Sequence, residues 1–189
     1  MTRPDPHITL LPGAPLRLAR CHEAEGPGAT GFALALAAML DGPLLWIAQS
    51  WTPEQLNPVG ISRYIDPARL LLVTPKDQDD ALAVAEDALR AGAVRLVIVE
   101  VTKPLSLLAG RRLQLAAEAG RTTALCLIPE GAGSNAADTR WHCAPVFDPA
   151  DSTHARWEII KNKKGTLAAF TVHWDEQTRR ISLVSPPGQ

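Results

Sequence analysis

The chain contains few cysteines, which are abundant in disulfide-rich proteins, and few aromatic residues. Only 5% of its 189 residues are aromatic, and only three are cysteines, which lie far apart: Cys21, Cys126 and Cys143. An odd number of widely spaced cysteines does not fit a disulfide framework, so we expect all three thiols to be free. Hydrophobic residues nevertheless make up 46% of the chain, which excludes an intrinsically disordered protein.

An excess of charge of one sign and a long hydrophobic run are also missing. The 19 Lys and Arg residues nearly balance the 20 Asp and Glu residues, so no overall field attracts the chain to nucleic acid or to an anionic membrane. The longest apolar run, residues 31–40, is about half of the roughly 20 residues that cross a bilayer. Prolines interrupt the first residues, where a signal peptide needs an apolar stretch. We therefore expect a cytoplasmic protein that does not bind membranes.

The length and the hydrophobic pattern predict a single domain over residues 1–189, because a chain of this size can bury one core. Residues 1–20 are rich in proline and are predicted to form an N-terminal arm, with at most a short strand near 16–20. Continuous apolar runs predict buried strands, and apolar positions three and four residues apart predict helices. In chain order these are a helix at 32–40, strands at 44–48 and 70–73, a helix at 81–91, a strand at 95–100, a helix from 104 or 106 to 119, and a strand at 122–128. The turn-rich residues 21–31 predict a loop before the first helix, and the proline-containing segment 52–67 is predicted to be irregular.

The last third of the chain has a different pattern. Residues 131–137 are small and predict a flexible loop, and four strand-like stretches follow without intervening helices: 139–147, 156–161, 167–174 and 180–184. Helix–strand repeats imply a parallel sheet, whereas successive strands joined by short turns imply antiparallel pairing. The predicted fold is therefore α/β, with a parallel sheet flanked by helices and a C-terminal antiparallel meander.

The order of these elements and several short motifs resemble the RecA-type recombinase family. The motifs are Glu23-Ala-Glu-Gly-Pro-Gly-Ala-Thr30 at the phosphate loop, Leu96-Val-Ile-Val-Glu100 at the magnesium-carboxylate strand, and Ile160-Lys-Asn-Lys163 at a lysine-asparagine-lysine strand. Within this family the chain is most similar to the ImuA proteins of bacterial mutagenesis cassettes. The matching features include Leu45-Trp-Ile47, Asp66-Pro-Ala-Arg-Leu-Leu-Leu72, Thr139-Arg-Trp141 and Trp174-Asp175. The resemblance covers roughly residues 11–186 and implies a RecA-like core.

The residues that match the phosphate loop keep only part of its chemistry. Gly28 and Thr30 match, but Glu23 replaces the first glycine and Ala29 replaces the lysine that neutralises phosphate charge. Ser50 stands where the family has the glutamate that activates water, and a hydroxyl cannot act as a carboxylate base. We therefore expect a degenerate phosphate loop, with no nucleotide cofactor and no catalytic residue.

Candidate metal ligands are few. Glu100 matches the family's magnesium carboxylate, but it could instead be solvated at the sheet edge or pair with Lys103. His142 and Cys143 are adjacent rather than separated by ligand spacing. The sequence therefore predicts no bound metal.

One basic cluster and one tryptophan are the candidate contacts for a partner. Lys161, Asn162 and Lys163 match residues that reach across the protomer interface of RecA-type filaments. A partner surface, a contact to DNA phosphates and a solvated hairpin all remain open for this cluster. Trp51 lies in irregular sequence and would anchor an interface if it were exposed.

The resemblance implies a function in binding rather than in catalysis. ImuA proteins work beside ImuB, a catalytically inactive relative of Y-family polymerases, and an error-prone polymerase in damage-induced translesion DNA synthesis. By this resemblance the chain is a non-catalytic adaptor or regulatory subunit of such an assembly, while self-association through RecA-type surfaces and contact with DNA stay open. The alternatives are a SulA-like inhibitor of cell division and a RecA-type ATPase with an atypical phosphate loop.

Overall fold

The computed structural model describes residues 6–49 and 56–184. Its strands are β1 (His7–Leu11), β2 (Ala14–Arg17), β3 (Cys21–Glu25), β4 (Leu44–Ile47), β5 (Leu70–Val73), β6 (Leu96–Glu100), β7 (Thr123–Leu127), β8 (Thr139–Pro145), β9 (His154–Asn162), β10 (Ala168–Asp175) and β11 (Arg180–Leu183). Its helices are α1 (Ala29–Ala38), α2 (Pro58–Ser62), α3 (Gln78–Ala91) and α4 (Leu107–Gly120), and a 3-10 turn (Pro67–Arg69) precedes β5.

Nine of the strands form one mixed sheet, in the order β11-β10-β9-β8-β3-β7-β6-β4-β5. Neighbouring strands from β8 to β5 are parallel. The strands from β8 to β11 pair antiparallel in chain order. The predicted α/β fold, with a parallel core and a C-terminal antiparallel meander, is therefore confirmed, while its assignment as RecA-like stays a prediction.

The sheet separates two hydrophobic cores. Helix α1 packs on one face together with Trp46 and Ile98, and we call this the α1 face. Helices α3 and α4 pack on the other face together with Val97 and Cys126, and we call this the α3/α4 face. Because successive side chains of a strand point to opposite faces, a shift of one position moves a side chain from one core to the other.

The ends of the helices follow ordinary capping chemistry. Asp77 accepts a hydrogen bond from the Asp80 N–H at 2.8 Å at the start of α3, and Ser106 accepts one from the Ala109 N–H at 3.1 Å at the start of α4. Helix α3 stops at Gly92, as predicted, where φ is +67°. Because β3, β4 and β6 all run parallel, the carboxyl ends of β4 and β6 lie at the same edge of the sheet as the start of α1.

Residues 6–20, the part of the predicted arm that the structure describes, differ from the prediction of an arm with at most one short strand. Strands β1 and β2 form a hairpin in which Leu11 pairs with Ala14 across Pro12 and Gly13. Gly13 has φ of +78°, the left-handed conformation that the second central residue of a type II turn needs. Each strand is too short to show an alternating pattern of polar and apolar residues. The Pro12-Gly13 pair, which is typical of a turn, is therefore the sequence feature that indicates the hairpin. The hairpin buries leucine side chains in the core: Leu10, Leu11 and Leu16.

Two segments predicted to be loops are also packed more closely than their composition suggests. The turn-rich interpretation of residues 21–25 is wrong, because these residues form β3, which is buried between β7 and β8. The 131–138 loop, whose residues 131–137 are predicted to be flexible, packs against the sheet, with Ala137 only 1% exposed. In both segments polar groups are buried, and they are paired within the chain.

The helices are short. The longest, α3 and α4, have 14 residues each, and α2 has five residues within a segment predicted to be irregular. Within the part of the chain that the structure describes, no helix is long and apolar enough to cross a membrane.

Candidate functional site

The predicted phosphate loop lies at the junction of β3 and α1. Only three residues, 26–28, connect the end of β3 to the start of α1. A phosphate-binding loop has about four residues between its two glycines, and its amide groups curl round the phosphates. Here the Gly28 N–H donates to the Cys143 carbonyl oxygen at 2.8 Å, and the Ala29 N–H donates to the Gly26 carbonyl oxygen at 3.1 Å. Two amide groups that a phosphate would need therefore bind the protein's own backbone.

The glycines of this connection allow a close approach to β8. A Cβ atom at Gly26 would lie 2.5 Å from the Cys143 carbonyl oxygen, and one at Gly28 would lie 3.0 Å from the Cys143 carbonyl carbon. Gly26 also has φ of +89°, in the left-handed region. Packing against β8 therefore explains both glycines without a ligand.

We expect Gly26→Ala to lower the free energy of unfolding by about 2 kcal/mol, because the new methyl group adds both backbone strain and overpacking. The matched control is Gly13→Ala, where φ is +78° and nothing lies within 4 Å of the added Cβ. The control variant has the backbone strain without the close contact, so its free energy of unfolding should fall by about 1 kcal/mol or less. Urea unfolding measures both values, and equal losses would show that the contact with Cys143 has no structural role.

Glu23 lies within β3 rather than on the loop, which corrects its predicted position. Its side chain is 1% exposed and forms an ion pair with Arg140 of β8, with 2.8 Å between Oε2 and Nε. Oε1 accepts a hydrogen bond from the Ser134 N–H at 2.7 Å, and Arg140 donates to the Ser134 carbonyl oxygen at 3.0 Å. Glu23 thus fastens the 131–138 loop to the sheet, and its charge is neutralised inside the protein.

Glu100 does not share a site with Glu23. Glu100, the last residue of β6, lies two positions after Ile98 and therefore on the α1 face. Glu23 lies two positions after Cys21 and therefore on the α3/α4 face. The Glu100 carboxylate accepts a hydrogen bond from the Trp46 indole N–H at 2.8 Å. The two acidic groups that the sequence placed around one phosphate site therefore lie on opposite sides of the sheet.

The lysines of the basic cluster contact the same loop that Glu23 fastens. Lys161 Nζ donates to the carbonyl oxygen of Asn135 at 3.0 Å, and Lys163 Nζ donates to that of Ala136 at 2.5 Å. Partial burial lowers the pKa of Lys161, and the nearby Lys163 charge lowers it further. Asn162 accepts from the Lys164 N–H at 3.2 Å within the hairpin turn. These bonds exclude a purely solvated cluster, while contact with a partner stays a prediction.

Two predicted positions, Ser50 and Trp51, lie outside the described residues. Their neighbour Gln49 is 2% exposed and donates to the main-chain oxygen of Glu100 at 2.8 Å. Its amide oxygen accepts a hydrogen bond from the Thr102 hydroxyl at 3.2 Å. Both ends of this amide are therefore held at the carboxyl edge of the sheet.

Two of the buried thiols, Cys126 and Cys143, are poor nucleophiles. All three cysteines are free and buried, as expected for reduced thiols. A hydrogen bond with Cys21 and burial raise the pKa of the Cys126 thiol, and burial together with the Glu25 charge raises that of Cys143. A thiol with a raised pKa forms little of the reactive thiolate.

An open cleft of about 500 Å³ lies beside the first turn of α1. Gly28 and Gly31 line one wall, and the opposite side is lined by side chains of α2, β9 and β10. Tyr64 and Trp174 stack there, with ring centres 4.6 Å apart. The volume and the mixed polar and apolar lining are typical of sites that take a ligand or a segment of another chain.

A cluster of side chains that could bind a metal ion lies next to this cleft, and no motif in the sequence indicates it. Asp151, His154 and His173 lie close together, with one potential ligand atom from each within 4.8 Å of the others. His154 and His173 are 19 positions apart in sequence, and they meet because they face each other directly across β9 and β10. The alternating pattern of the last strands was the only available signal, and it does not give the register.

Comparisons with known proteins add a family relationship. The chain is similar to Protein ImuA of Caulobacter vibrioides, in strain NA1000 / CB15N and in strain ATCC 19089 / CIP 103742 / CB 15. In each case 31% of residues are identical over 159 residues, which cover 72% of this chain and 64% of the relative. The match thus spans less than two thirds of the length of these relatives. No protein-family model matches the chain.

Proposed function

The chain is ImuA-like, and from this premise we propose that it is a non-catalytic adaptor or regulatory subunit of a damage-induced translesion DNA synthesis assembly. In this proposal it acts by binding other proteins, without binding or hydrolysing a nucleotide. The partner is an ImuB-like inactive relative of Y-family polymerases, together with its error-prone polymerase. Because the match covers 64% of the relatives' length, the activity and partners of the whole protein are part of the proposal.

The observation that carries the proposal is the short connection between β3 and α1. Its Gly28 and Ala29 amides bind the chain's own carbonyl oxygens, and its glycines are packed on Cys143. Ala29 supplies no positive charge to the start of α1. To bind here, a nucleotide would have to displace these backbone hydrogen bonds. The lysine that normally stabilises the bound phosphates is absent.

Surface features support protein binding. Strand β5 ends the sheet, and its Leu71 and Leu72 side chains are 54% and 55% exposed. The exposed side of α4 carries Leu107 and Leu108, which are 63% and 70% exposed. Apolar side chains on an edge strand and on an outer helix face are typical of surfaces that contact another protein.

The test compares binding of the purified chain to an ImuB-like protein with and without Mg·ATP, by calorimetry. We expect the same Kd in both conditions, because the proposed surfaces need no nucleotide. A separate titration with Mg·ATP should release no binding heat at concentrations where a low-micromolar Kd, worth about 7–8 kcal/mol, would be obvious.

The control for specificity is the cell-division tubulin relative, titrated under the same conditions. Binding to that protein and not to the ImuB-like protein would favour the SulA-like alternative. A low-micromolar Kd for Mg·ATP would contradict the non-catalytic role and favour the ATPase alternative.

A further inference from the structure

The turn before β9 and the adjoining ends of β9 and β10 bring together two imidazoles and two carboxylates. His154 and His173 are direct partners in the β9–β10 ladder, and their rings meet edge to face with centres 5.8 Å apart. Asp151 lies three residues before His154, in the turn that leads into β9. Asp148 lies in the same turn, with its Oδ2 3.3 Å from His154 Nδ1. This arrangement is separate from the phosphate-loop remnant and from the basic cluster.

We propose that Asp151, His154 and His173 bind one divalent transition-metal ion of the zinc class. Asp151 Oδ2 lies 3.2 Å from His154 Nε2 and 2.6 Å from His173 Nδ1. Nitrogen and oxygen ligands bind Zn²⁺ at about 2.0–2.1 Å in a tetrahedron, so two ligand atoms lie roughly 3.3 Å apart. Both distances from Asp151 are therefore near ligand spacing, and all three ligand atoms lie within 4.8 Å of one another.

The surroundings of His154 allow a cation at its Nε2. Both of its ring nitrogens face carboxylate oxygens, Nδ1 towards Asp148 and Nε2 towards Asp151. An imidazolium satisfies both carboxylates by donating from both nitrogens, and a neutral imidazole does so when a cation lies at Nε2. In the metal-bound form the Nδ1–H donates to Asp148. This carboxylate–histidine–metal order is the usual one around zinc.

The outer contacts position the ligands further. The Thr153 hydroxyl donates to Asp151 Oδ1 at 2.7 Å, which holds this carboxylate with its Oδ2 beside His173. The contact of the same hydroxyl with His173 Nδ1, at 2.8 Å, would be replaced by the metal ion, because that nitrogen has a single lone pair. Two imidazoles and one carboxylate favour zinc-class ions over Mg²⁺ or Ca²⁺, which prefer oxygen ligands alone. Three protein ligands leave a fourth position for water. His154 and His173 also line the cleft beside α1, so the ion would lie at its wall.

The test uses the full chain without a histidine tag, after treatment with a chelator. Calorimetry with Zn²⁺ should give one ion per chain, and Co²⁺ should give the visible absorption of a tetrahedral site. His154→Ala and His173→Gln should each weaken Zn²⁺ binding about a hundredfold. Asp148→Asn, which changes only the outer contact, should weaken it about tenfold.

The matched control is His142→Ala, since His142 also faces a carboxylate, Glu25, at 3.7 Å but lies outside the cluster. Its Zn²⁺ affinity should equal that of the wild type. Circular dichroism shows whether each variant folds. If a variant of a ligand residue does not fold, the effect of Asp148→Asn on the Zn²⁺ affinity still tests the proposal. Absence of one-to-one binding, or an affinity unchanged by the His154, His173 and Asp148 substitutions, would overturn the proposal and leave the cluster as an ion-pair network.

Discussion

Arg140→Ala is expected to lower the free energy of unfolding by about 3–5 kcal/mol, the largest effect that the structure predicts for one substitution. Its partner Glu23 is 1% exposed, so removing the guanidinium leaves a buried carboxylate without its ion-pair partner. The Ser134 carbonyl oxygen also loses the hydrogen bond from Arg140. Urea unfolding followed by circular dichroism measures the loss.

The matched control is Arg156→Ala, which breaks the ion pair with Glu158 on β9. Arg156 is 54% exposed, and an exposed pair contributes about 1 kcal/mol or less. A second variant isolates the buried charge: adding Glu23→Gln to Arg140→Ala should restore about half of the loss, because glutamine is neutral and still accepts from Ser134. Equal losses for Arg140→Ala and Arg156→Ala would contradict the role assigned to Glu23.

This ion pair bears on function because it changes the meaning of Glu23. From the sequence, Glu23 looked like a negative charge placed on a phosphate loop, where it would repel a nucleotide. In the structure it faces away from α1 and holds the 131–138 loop to the sheet together with Arg140. The length and the packing of the 26–28 connection therefore support the proposal that no nucleotide binds, whereas repulsion by Glu23 does not.

Hydrophobic periodicity predicted most of the fold correctly. Helices α3 and α4 and strands β4 to β11 lie within a few residues of their predicted ranges, because each has a continuous or regularly spaced apolar pattern. Strand β3 was missed because its buried side chains include His22, Glu23 and Glu25. Burial of such groups depends on partners more than 90 positions away, such as Arg140 and Thr139, which a local pattern cannot reveal.

The candidate sites were less predictable than the fold, for a related reason. The face on which Glu23 and Glu100 lie depends on the first residue of each strand, and one residue of error reverses it. Lys161 and Lys163 were identified from their local charge, but their acceptors are carbonyl oxygens of a loop 24 or more positions earlier. The histidines at β9 and β10 needed the strand register. Each missed feature is a contact between distant segments.

Acidification should destabilise the protein through His22, which is the second large effect. His22 is fully buried, its Nε2–H donates to the Arg17 carbonyl oxygen at 2.8 Å, and its Nδ1 accepts from the Thr139 hydroxyl at 2.7 Å. Burial lowers the pKa of His22 to about 4, against 6.5 in the unfolded chain. The native state therefore keeps the imidazole neutral in a range where the unfolded state already binds a proton.

This difference makes stability fall as the pH falls from about 6.5 to about 4, with a total loss of about 3 kcal/mol, about 2 of it between pH 7 and pH 5. Above pH 7 both states hold the neutral ring, so this contribution is constant. Urea unfolding at several pH values down to 5, above the range in which carboxylates protonate, measures it. His22→Gln should be less stable at pH 7 but should lose this slope, whereas His142→Gln, whose ring is 33% exposed, should keep it. A wild-type slope in His22→Gln would assign the pH dependence to another group.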